Sequence, residues 1–351
     1  MTAATKREAF AGPERQSRFL RHLPLPAARM VRGARNLPEL VRNFAADLRT
    51  YLAHASNAGI TSHEQAIARL IATYHNIEKG LSLPNPRSGF GERNLRILLD
   101  LLALPRLDQQ HPSVIVARHV LAAYLAFNED AGCSDVPYRA EIEAAVALLP
   151  ERGTGAGGLR KVTKADVLAA TEAVSDRFFL ERHSVRQFSG QPVDMAAIER
   201  AVTMALKSPA VCNRQNSRVY VASDPEVKQR LLKFQGGSNG FGEGIDKVLI
   251  VTTRLSYFWG SGERHQAWVD GGLFSMSLLL ALHAQALGAV CLNWSRSTAD
   301  TEKLRQMVGM EKDEIVIMMI GAGQLREEFV VPVSHRQSAS AAIVEVGGLH
   351  A

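Results

Sequence analysis

Two arginines flank a serine at alternate positions in the segment Arg182-His183-Ser184-Val185-Arg186. In an extended segment, the side chains at positions i, i+2 and i+4 point to the same face. We therefore expect Arg182, Ser184 and Arg186 to converge on one object. Guanidinium forks beside a hydroxyl suit a phosphate group, because they donate several charge-assisted hydrogen bonds to its oxygens.

A second polar cluster lies in the loop of residues 208–215, which reads SPAVCNRQ. Its residues Asn213 and Gln215 carry amides that both donate and accept hydrogen bonds. Such amides match the C=O and N–H edge of a planar heterocycle. Taken alone, this loop is better explained as a plain helix-to-strand turn.

Three further segments supply candidate residues. Asn293 follows a predicted strand and could reach the edge of a ligand, and Arg336 adds a basic group near the C-terminus. The aromatic segment at residues 257–260 is interpreted either as a stacking wall for a substrate or as a hydrophobic plug. The glycine run at 236–244 precedes a strand, whereas a Rossmann or P-loop run follows one, so we expect no such nucleotide loop there.

The elements that position these residues fall into two regions. Upstream of residue 150 every convincing segment is helical, including residues 91–104, residues 113–127 and a helix opened by the capping-box spacing of Thr61 and Glu64. Downstream we predict helices at residues 164–180, 194–207 and 266–287, a helix that starts at Asp224-Pro225, and strands at residues 218–222, 247–253, 289–292 and 315–320. The fold class is therefore α+β, a small sheet packed among helices, preceded by a smaller all-α domain.

Four glycines within residues 153–158 mark the strongest break in the chain. We divide the chain into a basic arm (1–40), an all-helical domain (41–150), a Gly-rich linker (151–163), an α+β domain (164–340) and a tail (341–351).

The charge of this 351-residue chain is concentrated at its start. Residues 1–50 hold ten Lys or Arg against four Asp or Glu, and the remainder holds 31 of each sign. We expect the arm to be a solvated, partly disordered terminus. The alternatives are contact with a membrane surface, an acidic partner or RNA; of these we retain the membrane surface and expect no nucleic acid.

Other features bound the class of protein. Three cysteines with no CxxC pair favour a reducing cytoplasm. The apolar run at 273–292 is interrupted by His283, Gln285 and Gly288, which favours a buried core helix over a membrane span. His75 and Glu78 lie three apart, but no third ligand follows at a suitable spacing, so we predict no metal site.

Residues from about 165 to 340 resemble the nitroreductase family of FMN-dependent flavoproteins. The matching pieces are RHSVRQF (182–188), SPAVCNRQ (208–215), the run DGGLFSMSLLLALHAQALGAVCLNW (270–294), IGAG (320–323) and PVSHR (332–336). The segment HNIEKGLSLPNPRSGFG (75–91) looks like an extension carried by some members of this family.

The resemblance implies an α+β homodimer with FMN at the dimer interface and NADH or NADPH as a transient electron donor. The cofactor would carry the hydride chemistry, so no side chain is nominated as a catalytic residue. The residues implied to bind FMN are Arg182, His183, Ser184, Arg186, Ser208, Pro209, Asn213, Gln215, Asn293 and Arg336. Among these, the arginines and Ser184 would hold the phosphate and ribityl chain, the loop at 208–215 would approach from the second subunit, and Asn293 would lie beside the ring.

This chain departs from the family pattern at two places. Family members often carry Pro-Trp after the residue that matches Gln215, whereas this chain has Asn216-Ser217. Ala210 stands where a second small hydroxyl residue is common. An aromatic wall and one hydrogen bond of the usual pocket are therefore missing here.

The sequence thus favours an FMN-dependent NAD(P)H oxidoreductase that acts on a quinone, a nitroaromatic or a conjugated carbonyl. Dehydrogenation of a biosynthetic intermediate and reductive dehalogenation use the same cofactor site and stay open. An alternative is a flavin-binding regulatory or sensor protein, whose helical domain and basic arm dock on a membrane or an assembly. A third reading keeps the fold without the flavin.

Overall fold

The computed structural model of the protein describes the backbone of residues 25–149 and 157–348, with side chains from residue 37 onward. Most of the predicted basic arm and the first half of the predicted linker lie outside these ranges. Helix α1 spans Leu25–His54 and so crosses the boundary that we placed at residue 40. Within the described ranges, no helix is both long enough and apolar enough to cross a membrane.

The region before the linker is all-helical, as predicted. After α1 it contains α2 (His63–Leu81), α3 (Glu92–Leu102), α4 (Pro112–Asp130) and α5 (Arg139–Val146). Leucine, isoleucine and valine side chains from α2, α3 and α4 form one core, in which Leu70, Leu98 and Leu121 are fully buried. This region therefore has its own hydrophobic core.

The region after the linker combines seven helices with four strands among the described residues. The helices are α6 (Lys164–Thr171), α7 (Asp176–Leu180), α8 (Met195–Ala205), α9 (Pro225–Gln235), α10 (Gln266–His283), α11 (Thr298–Val308) and α12 (Ala339–Ala342). The strands are β1 (Ser217–Ala222), β2 (Lys247–Arg254), β3 (Leu287–Asn293) and β4 (Glu314–Gln324). The prediction of an α+β fold with a preceding helical region is confirmed.

The four strands form one antiparallel sheet in the order β1-β2-β4-β3. Helices α8 and α10 pack on one face, where Leu278 and Leu282 meet Leu249 and Ile320. The other face packs against α9 and α11 through Leu231 and Leu304, among others. Strand β3 is an edge strand of this sheet, and its outer edge receives the segment after α7.

Three predicted boundaries are wrong, each for a local reason. The single helix predicted over 164–180 is two short helices, with Ser175 extended between them. Neither helix buries a side chain, so no packing holds the segment as one continuous helix. The helix predicted over 266–287 ends at His283, since Ala286 takes a positive φ of 55° and reverses the chain into β3. The capping box lies one residue later than predicted: Ser62 and Gln65 cap each other, so α2 begins at His63.

The two regions are joined by direct contacts. Phe258 accepts a hydrogen bond from the Ser56 backbone at 2.9 Å, and Arg254 on β2 lies 3.7 Å from Glu64 on α2. The ring of Tyr257 packs against the helical core. The helical domain therefore rests on the segment that leads from β2 into α10.

Candidate functional site

The segment that carries Arg182, Ser184 and Arg186 runs along the outer edge of β3. Val185 donates its backbone N–H to Ala289 at 3.0 Å, and Ser184 forms an isolated parallel bridge with Ala289. Val185 is buried, whereas Arg182 and Ser184 are partly exposed and Arg186 is exposed. The alternation follows from the extended backbone, which anchors one face and leaves the other for a ligand.

A small surface cavity of about 50 Å³ opens beside Arg182. Its lining includes Arg182, His183 and Ala289, together with His283 at the end of α10 and Phe329. The cavity therefore lies between the arginine segment, the C-terminal end of α10 and the start of β3.

Arg182 and Arg186 point in different directions in the single chain. Arg182 lines the cavity, whereas the guanidinium of Arg186 lies 5.8 Å from the ring centroid of Phe241 and donates to the Ser184 backbone at 3.3 Å. Within the described residues, neither guanidinium has a carboxylate within 4.0 Å. The expectation that Arg182, Ser184 and Arg186 converge on one object is therefore wrong for the single chain, because Arg186 packs over Phe241 and only Arg182 of the two lines the cavity.

The β3 strand extends this surface away from the cavity. Cys291 and Asn293 are exposed and alternate with buried residues; Ala289, itself buried, lies on the same face by the period of two, and the three span about 13 Å at 3.3 Å per residue. Asn293 is exposed and donates its amide to the Ser295 hydroxyl at 2.6 Å. Desolvation raises the pKa of the Cys291 thiol, and the positive charge of Arg182 lowers it in part.

The loop at residues 208–215 is held in a strained backbone conformation. Cys212, Asn213 and Gln215 have φ values of 48°, 52° and 51°. The left-handed region costs an ordinary residue about 1 kcal/mol or more, so contacts elsewhere must hold this loop. Ser208 and Asn213 are partly buried, whereas Pro209 and Gln215 are exposed.

Asp270 on α10 holds the second half of this loop, at Val211 and at Asn216 directly after it. Its Oδ2 accepts a hydrogen bond from the Val211 backbone at 3.1 Å and another from the Asn216 side chain at 2.6 Å. Its Oδ1 accepts from Gln266 at 2.8 Å. Asn216, where the family often has the proline of a Pro-Trp pair, therefore fixes the loop instead.

Arg214 turns inward between the two amide residues. Its side chain is fully buried and donates to both oxygens of Glu263, at 2.9 and 2.5 Å. It also donates to the Tyr257 backbone at 2.5 Å. The sequence analysis missed Arg214 and Asp270. For Arg214 the only signal is the row of polar residues in the loop, and for Asp270 it is a carboxylate inside an otherwise apolar helix.

The aromatic segment after β2 is a structural joint between the two regions. Phe258 is fully buried, and Tyr257 packs against the helical core. Trp259 is partly buried and stacks on arginines. The structure therefore supports the interpretation of this segment as a plug and not as a stacking wall for a substrate.

The predicted site residues fall into two groups at opposite ends of α10. Arg182 and His183 lie beside Leu279 and His283, whereas Asn213 and Gln215 belong to the loop that is fixed to Asp270. At 1.5 Å per residue, the nine to thirteen intervening positions separate the groups by about 14 to 20 Å along the helix. Arg336 lies in an exposed C-terminal segment, where it donates to Ser334 at 2.5 Å.

The sequence model of the nitroreductase family matches residues 180–239. No curated protein matches this chain. Solved structures to which part of this chain is similar include nitroreductase A from Vibrio parahaemolyticus, with 17% identity and a TM-score of 0.41, covering 50% of this chain and 77% of that chain. Another is the NADPH:FMN oxidoreductase of Vibrio harveyi complexed with NAD+, with 16% identity and a TM-score of 0.40, covering 50% and 78%. A third, from Desulfovibrio desulfuricans and in complex with FMN, has 18% identity and a TM-score of 0.42, covering 49% and 96%.

The matched segment contains the arginine pair and the whole loop from Ser208 to Gln215. It leaves out Asn293 and Arg336. Residues 180–239 of this chain therefore match the nitroreductase family, in agreement with the resemblance predicted from the motifs at 182–188 and 208–215.

Proposed function

We propose that this protein is an FMN-dependent oxidoreductase. It passes two electrons from NADH or NADPH, through bound flavin, to an electron-poor small molecule such as a quinone, a nitroaromatic or a conjugated carbonyl. The observation that carries the proposal is the pair Arg182 and Arg186. Both guanidiniums lie in the segment matched by the nitroreductase family, and neither has a carboxylate partner among the described residues.

The donor set fits FMN at its phosphate end. Arg182 and His183 line a cavity next to the hydroxyl-bearing Ser184, and Arg186 follows two residues later. A phosphate needs several charge-assisted donors because it carries close to two negative charges at neutral pH. Arg336 would complete this set from the C-terminal segment.

The other candidate residues would meet the planar part of the cofactor. Asn293 lies on the same face of β3 as Ala289, which borders the cavity beside Arg182. Asn213 and Gln215 would supply amide donors and acceptors to the polar edge of the ring, and Ser208 and Pro209 would border it. When bound, the flavin supplies the hydride and electron transfer chemistry, while these residues orient it and limit its contact with water.

A second copy of the chain would bring the two groups of residues together. The N-terminal half of α10, next to the loop at 208–215, leaves Trp268, Val269, Leu273 and Met276 between 43% and 51% exposed. Large apolar side chains exposed on one helix face mark an interaction surface. The C-terminal segment after Phe329 exposes more aliphatic side chains, including Val333 and Val344. A homodimer would cover both surfaces and place the loop of one copy beside the flavin of the other.

The cellular setting follows from weaker features. The three cysteines are unpaired in the structure, which fits a reducing compartment, and we place the protein in the cytoplasm. Contact with a membrane surface through the basic residues of the N-terminal arm is compatible with that location.

The test is an FMN titration of the wild-type protein and of Arg182→Ala, Arg186→Ala and the double variant. Each lost charge-assisted bond to phosphate should raise the Kd for FMN about 10- to 100-fold. Arg230→Ala, at an exposed position of α9, is the matched control and should bind like the wild type. Unchanged FMN affinity in the double variant would refute the assignment of the phosphate site.

A further inference from the structure

The indole of Trp259 lies between two arginines from different parts of the chain. The guanidinium carbon of Arg214 is 3.6 Å from the ring centroid, and that of Arg69 is 3.8 Å from it. Two guanidinium groups cannot share one face of the ring at these distances, so they occupy opposite faces. A cation over an aromatic face contributes about 0.5 to 2 kcal/mol, depending on its exposure to water.

Arg69 belongs to the helical domain, whereas Arg214 belongs to the predicted flavin loop. Arg69 lies on α2, where its sequence neighbours Ala68 and Leu70 are fully buried within the helical domain. Burial lowers the pKa of Arg69, and the nearby charge of Arg214 lowers it further. The two like charges are therefore close, and the ring between them together with the Glu263 carboxylate makes that approach tolerable.

The main chain on either side of Trp259 is also held by the helical domain. Tyr51 donates its hydroxyl to the Gly260 carbonyl at 2.8 Å. The side-chain oxygen of Asn57 accepts from the Gly260 backbone at 2.8 Å. With the bond from Ser56 to Phe258, three hydrogen bonds fix this short segment to the end of α1 and the turn that follows it.

Arg214 connects Trp259 to the loop at 208–215, because it belongs to this loop and stacks on the indole. It sits between Asn213 and Gln215, both of which hold left-handed backbone angles. Its guanidinium is fixed by the paired bonds to Glu263, which also accepts from the Trp259 backbone at 2.9 Å. Since the loop cannot hold three left-handed residues without such anchors, movement of Trp259 would release Asn213 and Gln215.

We propose that the helical domain positions the flavin-facing loop, with Arg69 acting through Trp259 and Arg214 to hold the Asn213 and Gln215 amides in place. These three are positioning residues, since none is assigned a contact with the flavin. The inference rests on the proposed function and gives the helical domain a role in cofactor binding. In a dimer of the kind proposed above, the helical domain of one copy would act on the flavin held by the arginines of the other.

The experiment compares full-length Arg69→Met with Arg93→Met, a matched control at an exposed position of α3 in the same domain. FMN is the probe, and its Kd is measured by quenching of flavin fluorescence. The loss of one stacked cation should weaken FMN binding about tenfold in Arg69→Met and leave Arg93→Met unchanged. Trp259→Phe keeps an aromatic face and should bind FMN more tightly than Trp259→Ala.

Two readouts separate positioning from a general loss of stability. The visible flavin bands should shift in Arg69→Met, because the amides at the ring edge move. Hydrogen exchange at residues 208–215 should speed up while exchange in β2 stays slow. Arg69→Lys keeps the charge and removes only the planar stack. Its Kd for FMN should lie above that of the wild type, and this result can be measured even if Arg69→Met does not fold.

The possible failures are distinguishable. A wild-type protein that does not bind FMN would overturn the proposed function and this inference with it. A wild type that binds FMN, with Kd, flavin bands and loop exchange all unchanged in the folded Arg69 variants, would overturn the inference alone. The proposed function would then stand, and the arginine-tryptophan stack would serve only to join the domains.

Discussion

The side chain of Asn216 donates a 2.6 Å hydrogen bond to Asp270, and both residues are almost fully buried. The same carboxylate oxygen accepts from the Val211 backbone. One oxygen therefore fixes the chain on both sides of residues 212–215. A carboxylate without a cationic partner is costly to bury, and here three hydrogen bonds offset that cost.

Replacement of Asp270 by Asn should loosen this closure. The side-chain NH2 group of the asparagine would face N–H groups that now donate to the Asp270 carboxylate. We therefore expect the free energy of unfolding to fall by about 1 to 3 kcal/mol. FMN affinity should fall too, because Asn213 and Gln215 lie between the released ends. Chemical denaturation and FMN titration measure the two effects. Glu199→Gln, at an exposed carboxylate on α8, is the control; if Asp270→Asn matched it in both measurements, the role of Asp270 would be excluded.

A charge on the apolar face of α10 should separate the subunits. Leu273 is 43% exposed in the single chain, and the proposed interface would bury it in both copies. Leu273→Glu would bury two unpaired carboxylates in a twofold dimer, so sedimentation should show a monomer. FMN should be lost at the same time, since the loop no longer meets the phosphate end of the site.

The control for the interface is Val227→Glu on α9, where the valine is similarly exposed, at 45%. It should leave both dimer and FMN intact. A Leu273→Glu protein that stays dimeric with full FMN content would contradict the assignment of this helix face to the interface.

The Cys291 thiol offers a chemical probe of the site. Desolvation raises its pKa and Arg182 lowers it in part. Because only the thiolate reacts, alkylation by iodoacetamide should accelerate at a higher pH than for an ordinary thiol. In Arg182→Ala the lowering charge is gone, so the midpoint should move to still higher pH.

Bound FMN should also protect Cys291, which shares a strand face with Asn293. Cys133, in the helical domain, is the internal control and should react at the same rate with and without FMN. Mass spectrometry of the labelled peptides gives both rates. Equal labelling of Cys291 in the presence of saturating FMN would place the flavin elsewhere.

Local signals in the sequence predicted much of the fold. Asp224-Pro225 marked the start of α9 because the N-cap carboxylate and the proline act within one turn. The buried runs of β2 and β4 were equally clear, since β-branched and apolar residues follow one another there. The arginine segment was recognisable from its alternating residues, and its backbone is extended as predicted; the two guanidiniums diverge because Arg186 lies over Phe241, which the local sequence does not show.

The rest depended on contacts between distant residues. The apolar pattern of α10 continues to Leu287, and only the pairing of Leu287 with Gln324 on β4 shows that this residue begins a strand. Arg69 and Arg214 look like surface residues in their own segments, and the segment of Trp259 gives no sign that it packs between two arginines. Their stacking exists only once α2 and the loop at 208–215 have been brought together by the fold.

The measurement that tests the central claim most directly is the visible absorption spectrum of the purified protein, repeated without oxygen after addition of NADH or NADPH. We predict oxidised flavin bands that bleach with at least one of the two nucleotides and return with a quinone or nitroaromatic acceptor. A colourless protein that does not bind added FMN would contradict the account.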